Sequence, residues 1–229
     1  MEHAFDIDPD ASLVARVEGE LVGLANLGLR DADAWVGGVG VVPPQRGTGL
    51  GEALMRALIA EAGARGVERL WLEVIVENTA AVRLYEKLAF AHVRDVEVWS
   101  LEGQVAESDY LPSSAALDEA HAWVRAHRQG REPWQRSDGT VARLAELDPA
   151  PHGVLVDGGA AVVRSAAGRV NLLQLAGDAV AVLEAVGGAG EPVSLLNLPS
   201  EDPAAAAFRA LGGAVVVRQH EMLLELAPP

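Results

Sequence analysis

The run Gln45-Arg46-Gly47-Thr48-Gly49-Leu50-Gly51 constrains this chain more than any other stretch. An apolar, strand-like segment, 35–42, leads into it, and a helix-patterned segment, 52–64, leads out. Strand, glycine-rich turn and helix N-terminus together make an anion site. The first helical N–H groups have no intrahelical partner and carry a partial positive charge, and glycines let a phosphate come close to the backbone. Glycines also simply end strands, so an ordinary turn stays open on this run alone.

Composition narrows the classes. At 229 residues, half of them hydrophobic, the chain holds one large domain or two small ones with a proper core. No apolar run is long enough to span a membrane. The start, Met1-Glu2-His3-Ala4-Phe5-Asp6, lacks the basic and apolar regions of a signal peptide, so a cytoplasmic location is expected. With no cysteine there is no disulfide, thiolate metal site or cysteine nucleophile, and the six histidines show no ligand spacing, so no metal is expected. The formal charge of −15 repels nucleic acid and anionic lipid, neither of which is an expected partner, and attracts cationic acceptors such as amines.

The hydrophobic pattern predicts strands over 12–17, 21–29 and 35–42, the first two joined at Glu18-Gly19-Glu20, a tight hairpin signal. Leu50, Leu54, Leu58 and Ile59 share one face of the following helix. A strand over 70–76 follows, then a helix over 79–88 behind Asn78, a good N-cap, then one or two strands over 90–101. Residues 102–115 read as a linker, and helices are expected over 116–127 and 141–147. The order then repeats: strands over 153–156, 161–165 and 170–176, a helix over 179–186, a strand over 193–198, a helix over 203–211, and a strand pair over 215–219 and 222–226. The chain thus reads as an α/β (α+β) protein containing βββαβαββ twice, a duplicated fold with domains over 1–101 and 116–229.

The segment from Trp71 to Phe90, Trp71-Leu72-Glu73-Val74-Ile75-Val76-Glu77-Asn78-Thr79-Ala80-Ala81-Val82-Arg83-Leu84-Tyr85-Glu86-Lys87-Leu88-Ala89-Phe90, completes the pattern. With Arg46-x-x-Gly49-x-Gly51 it resembles the GCN5-related N-acetyltransferase (GNAT) superfamily, and within it the ribosomal-protein N-terminal alanine acetyltransferases. The resemblance covers roughly residues 12–100. It implies two GNAT-like mixed-sheet modules and acetyl-CoA as donor substrate, without a metal. Val39, Gly40 and Val41 match the strand whose backbone pairs with the pantetheine arm. Arg46, Gly47, Thr48, Gly49, Leu50, Gly51 and Glu52 match the pyrophosphate loop, where N–H groups do the holding. Asn78 matches a contact to the cofactor arm. Tyr85 matches the general acid that protonates the departing thiolate, and Glu73 the general base of the alanine acetyltransferases, with Glu77 and Asp33 as weaker base candidates. The rival readings are a packed tyrosine and a structural carboxylate.

Three departures accompany the resemblance. The family begins with a strand and two helices that shape the acceptor pocket, which the eleven residues before Ser12 are too few to form; a shortened start or substitution by the second half is expected. Ala89 replaces the usual glycine, and Ile75 stands where the alanine acetyltransferases carry arginine. In the second half, Leu175-Ala176-Gly177-Asp178 offers no phosphate loop, Phe208 takes the tyrosine position, and Asn197 falls near the asparagine position. That half is expected to be degenerate and to bind no cofactor. The implied function is acetyl transfer to a primary amine on a small molecule or peptide N-terminus, by direct attack in a ternary complex. The alternative is a non-catalytic acyl-CoA-binding or scaffolding protein. A homodimer through a strand edge or the second domain fits a truncated sheet.

Overall fold

A computed structural model describes residues 3–102, 114, 115, 117–188 and 190–226. Of the expected linker, 103–113 lie outside the described residues. The chain divides into two compact units, Met1–Arg94 with Gln219–Pro229, and Asp95–Arg218.

The first unit contains β1 (Leu13–Val17), β2 (Glu20–Arg30), β3 (Asp33–Val41), α1 (Leu50–Ala64), β4 (Arg69–Ile75) and α2 (Thr79–Lys87). A short 3-10 turn, His3–Phe5, and a bridge between Ile7 and Gly28 precede β1. The β1–β2 hairpin turns at Glu18 and Gly19, both with positive φ (51° and 89°), the conformation whose twist matches the flanking strands. Leu54, Met55, Leu58 and Ala62 of α1 bury against Ala25 and Leu27 of β2, Val36 of β3, and Leu70 and Leu72 of β4. The helix sits close: a Cβ on Gly23 would come within 2.9 Å of Leu54 Cδ1 and 3.1 Å of the Gly40 carbonyl.

The second unit carries α3 (Leu117–His127), α4 (Asp138–Leu144), β7 (His152–Val156), β8 (Gly159–Ala166), β9 (Arg169–Gly177), α5 (Ala179–Gly187), β10 (Val193–Pro199) and α6 (Pro203–Ala210). A two-residue strand, β6 (Ser114–Ala115), pairs with β7. The core is built on Trp99, Leu172, Leu183, Leu195 and Phe208, with Trp99 and Phe208 stacked at 5.4 Å. Trp134 is buried, and Trp123 stacks on His127 and packs on Val124, Ala160 and Ala176.

The repeat of elements is as expected: three strands, helix, strand, helix and a closing strand occur twice. The first closing element agrees with the expected one or two strands, and the second differs from the expected pair. β5 (Ala91–Leu101) and β11 (Ala214–Glu225) are single long strands. The polar pair His220-Glu221 reads as a break in the sequence, yet it stays in the pleat. His220 packs edge-on against His92 (4.9 Å), and Glu221 accepts from Arg94 Nε (2.7 Å), so both polar side chains have partners inside the sheet.

These two strands also explain why the compact units do not follow chain order. Gln219 to Glu225 of β11 pair antiparallel with β4, which gives the first unit the strand order β1-β2-β3-β4-β11. Val96 to Leu101 of β5 pair antiparallel with β10, which gives the second unit the order β5-β10-β9-β8-β7-β6. Met222 of β11, buried among Leu70, Leu72 and Val74, belongs to the core of the first unit. Met222→Ala should therefore lower stability in urea unfolding by about 2–5 kcal/mol. Val216→Ala, at an exposed position of the same strand, should change it by less than ~0.5 kcal/mol.

Candidate functional site

The site begins where β3 leaves β4. The two strands run parallel and pair over Asp33–Arg69, Ala34–Leu70 and Trp35–Trp71 only. On the other side β3 stays paired with β2 to Gly23–Val41, but with one irregularity: Leu27 faces Val36, and Asn26 faces Gly38. Gly37 is the extra residue of a β-bulge. The bulge switches the alternation of β3, so that Ala34 and Val36 face the core before it and Val39 and Val41 after it. From the bulge onward, the β4-facing edge of β3, including Val39, Gly40 and Val41, has no strand partner among the described residues. Such an edge can hydrogen-bond an extended ligand.

The end of this edge runs into the N-terminus of α1. Gly49 is the N-cap, in the left-handed region (φ 89°), and Gly47 before it is also left-handed (φ 75°). Gly49 supplies no side chain, so the first N–H groups of α1 receive no side-chain cap. Residues 46–49 are exposed. Arg46 Nε donates to the Val41 carbonyl at 3.0 Å, and Thr48 Oγ1 donates to the Gln45 carbonyl at 2.8 Å; both bonds fix the loop. A Cβ on Gly51 would meet Leu84 and Val41 at 3.9 Å, ordinary contact range. The Glu52 carboxylate is turned toward Lys87 Nζ (2.6 Å) and Arg56 (2.9 Å). The hydrogen bond from Lys87, then that from Arg56, holds its pKa below the usual carboxylate range. What Glu52 offers to the helix end is its backbone N–H.

Asn78 caps α2, its side chain accepting from Ala81 N at 3.3 Å. Tyr85 on α2 is 9% exposed, packs on Phe90 (5.9 Å between rings), and its hydroxyl has no hydrogen-bond partner among the described residues. Burial pushes its pKa above the ordinary phenol value, so the hydroxyl keeps its proton. Leu70, Leu72 and Val74 of β4 face the core with Tyr85, so Trp71, Glu73 and Ile75 share the opposite face. There Glu73 Oε2 accepts from Trp35 Nε1 at 2.7 Å. Asp33 takes a two-pronged bond from Arg69 (2.7 Å each) and one from Trp71 Nε1 (2.9 Å). Glu77 is exposed. Trp35, Arg94 and Glu221 were not singled out by sequence. The Gly37-Gly38 pair inside a strand was the available signal for the bulge.

The same features recur in the second unit, answered from within the chain. β9 and β10 pair in parallel only from Val170–Val193 to Leu172–Leu195. Val162 faces Gln174 and Val163 faces Leu172, which makes Leu173 the bulged residue. Here the buried guanidinium of Arg136, ion-paired with Glu132 (3.2 Å), donates from Nε to the Leu173 carbonyl at 2.8 Å, and NH1 lies 3.5 Å from the Asn197 carbonyl. At the start of α5, the Asp178 carboxylate accepts from Val180 N and Ala181 N at 3.1 Å each. A chain-borne anion therefore sits on the second helix N-terminus. Phe208, at the position expected to match Tyr85, is fully buried in the core and carries no hydroxyl.

Residues 1–90 match the model of the Acetyltransferase (GNAT) family. The chain is 43% identical over 90 residues to a mycothiol acetyltransferase of Thermobispora bispora, covering 36% of this chain and 30% of that protein. It is 50% identical over 52 residues to the [ribosomal protein bS18]-alanine N-acetyltransferase of Escherichia coli, covering 23% and 35%. The chain thus spans about a third of the length of these two relatives. Among solved structures, a tandem GNAT protein from the clavulanic acid biosynthesis pathway superposes with a TM-score of 0.65 at 16% identity, covering 99% of this chain and 87% of that one. That likeness is one of fold and extends over both halves, and residues 1–90 of this chain match the GNAT acetyltransferase family in sequence.

Proposed function

We propose that this chain is an acetyl-CoA-dependent N-acetyltransferase with one donor site, in the first unit, and a primary amine of a small molecule or peptide N-terminus as acceptor. The observation that carries this reading is the contrast between the two helix N-termini. That of α1 has no side-chain cap and follows an unpaired strand edge, whereas that of α5 is capped by Asp178. The N–H groups at residues 47–52 suit a pyrophosphate, and the β3 edge at Val39, Gly40 and Val41 suits the amide-bearing pantetheine arm. Asn78 lies one residue before α2, where its amide can reach the same arm while its oxygen caps the helix. The donor supplies the thioester whose acetyl group is transferred.

The residues divide the proton work. The acceptor enters as an ammonium and gives one proton to Glu73, which passes it to solvent. The free amine then forms the N–C bond and the C–S bond breaks. Tyr85 donates its proton to the leaving sulfur, and the proton shed as the nitrogen becomes an amide restores the phenol. A backbone N–H of β3 near Val41 polarises the carbonyl, and positioning on a rigid strand and helix lowers the rest of the barrier. The second unit binds no donor, because Asp178 and Arg136 hold the groups a donor would need.

Calorimetry with acetyl-CoA should give one site per chain; two sites would sink the single-site reading, and none would favour the scaffold. Tyr85→Phe should leave acetyl-CoA affinity within twofold and lower kcat with an alanyl peptide by roughly 10²-fold or more. In the parent enzyme the basic limb of the kcat profile that reports Tyr85 should lie above the ordinary phenol range, because burial favours the protonated form. Gly49→Ala forces a Cβ into the left-handed region at about 1–2 kcal/mol. A loop that relaxes to escape that strain should lose roughly tenfold in acetyl-CoA affinity.

A further inference from the structure

β11 brings a second carboxylate to the Glu73 face. In the β4–β11 register Glu221 stands directly opposite Glu73, so both side chains leave the sheet on the same face, with Cβ atoms about 4.5–5.5 Å apart. Glu221 is fully buried, and its Oε2 accepts from Arg94 Nε at 2.7 Å. Like charges placed opposite each other across a ladder are unfavourable, and a buried carboxylate is costly to desolvate. The next three residues of the strand, Met222, Leu223 and Leu224, are apolar, as strand packing alone would demand. The carboxylate at 221 therefore needs a cause other than packing.

We propose that Glu221 is a positioning residue for Glu73: held in place by Arg94, its fixed negative charge sets how readily Glu73 takes a proton. This rests on the reading of Glu73 as the base. The physical argument has a definite sign. A neighbouring anion favours the protonated form of a carboxyl group, and a neighbouring guanidinium favours the ionised form. Two further charged or titratable groups can be placed by the strand register. Asp33 is held by Arg69 on the same face, and His220, next to Glu221 in sequence, points with Val74 to the opposite face, where it meets His92. Glu221 and Arg94 thus act on Glu73 in opposite directions, and replacing either one unmasks the other.

The test is a 13C NMR titration of the full chain labelled at glutamate carboxyls, with the Glu73 signal assigned by its disappearance in Glu73→Gln. In Glu221→Gln the Glu73 midpoint should fall by about one pH unit. In Arg94→Met it should rise. A purely structural role for Glu221 moves neither midpoint, so unchanged midpoints, or two shifts of the same sign, overturn the proposal. Should Glu221→Gln not fold, the double variant Glu221→Gln/Arg94→Met is compared with Arg94→Met, and a Glu73 midpoint no lower in the double variant overturns the proposal. The base reading is tested separately: Glu73→Gln that still acetylates an alanyl peptide at the parental rate removes Glu73 as the base while leaving the titration result intact.

Discussion

The parting of β3 from β4 after Trp35 is the feature on which the rest of the first unit depends. A parallel pair that stayed in register to the end of β3 would leave no backbone edge for a ligand, and Val39, Gly40 and Val41 would hydrogen-bond a strand. The pairing ends at Trp35, and the bulge that follows turns Val39 and Val41 onto the core, in line with Gly47 and Gly49. A glycine at the bulge fits this geometry. A Cβ on Gly37 would lie 2.5 Å from Ile7 Cδ1 and 3.0 Å from the Trp35 ring, and that same Trp35 holds Glu73. The bulge, the indole and the carboxylate form one connected device.

The second unit shows the same topology with its bulged carbonyl and helix N-terminus bonded to side chains of the chain itself. A bulged carbonyl and a helix N-terminus are polar groups that require partners when buried. Arg136 supplies one and Asp178 the other. Arg136 is itself kept by Glu132, and its own carbonyl accepts from Gln174 Nε2, which also donates to Asp138. Asp138 is drawn in turn to Arg128 and His121. Burial alone would raise the Asp138 pKa; the hydrogen bonds from Arg128, His121 and Gln174 outweigh it and bring the value to about 2. Within the second unit this network occupies the positions that correspond to the open strand edge and helix N-terminus of the first.

Much of this was legible in the sequence, for local reasons. The glycine loop, the Asn78 cap and the core face of α1 depend on residues a few positions apart, and all appear where the pattern placed them. The duplication was legible in the order of elements. The partners of β4 and β10 were not, because no local signal tells whether Gln219 to Glu225 continue a strand or turn back. That choice depends on His92 and Arg94, more than a hundred residues earlier. Arg136 was hidden for the same reason: within an Arg-, Pro- and Trp-rich stretch that reads as a loop, nothing marks one guanidinium as buried.

The exchange of closing strands ties the last strand of the chain to the first unit. The first unit takes its fifth strand from the end of the chain, and with it Met222 for the core and Glu221 for the face that carries Glu73. Without residues 219–225, β4 would lose its antiparallel partner along its whole length, from Arg69 to Ile75. An exposed edge of that kind, with Leu70, Leu72 and Val74 on its apolar face, invites pairing with other chains. The second half therefore contributes to the first through hydrogen bonds and side chains, whatever it binds itself. A strand that must seal a core and also face the Glu73 carboxylate has to satisfy both demands in alternate positions. The sequence Glu221-Met222 does so within two residues.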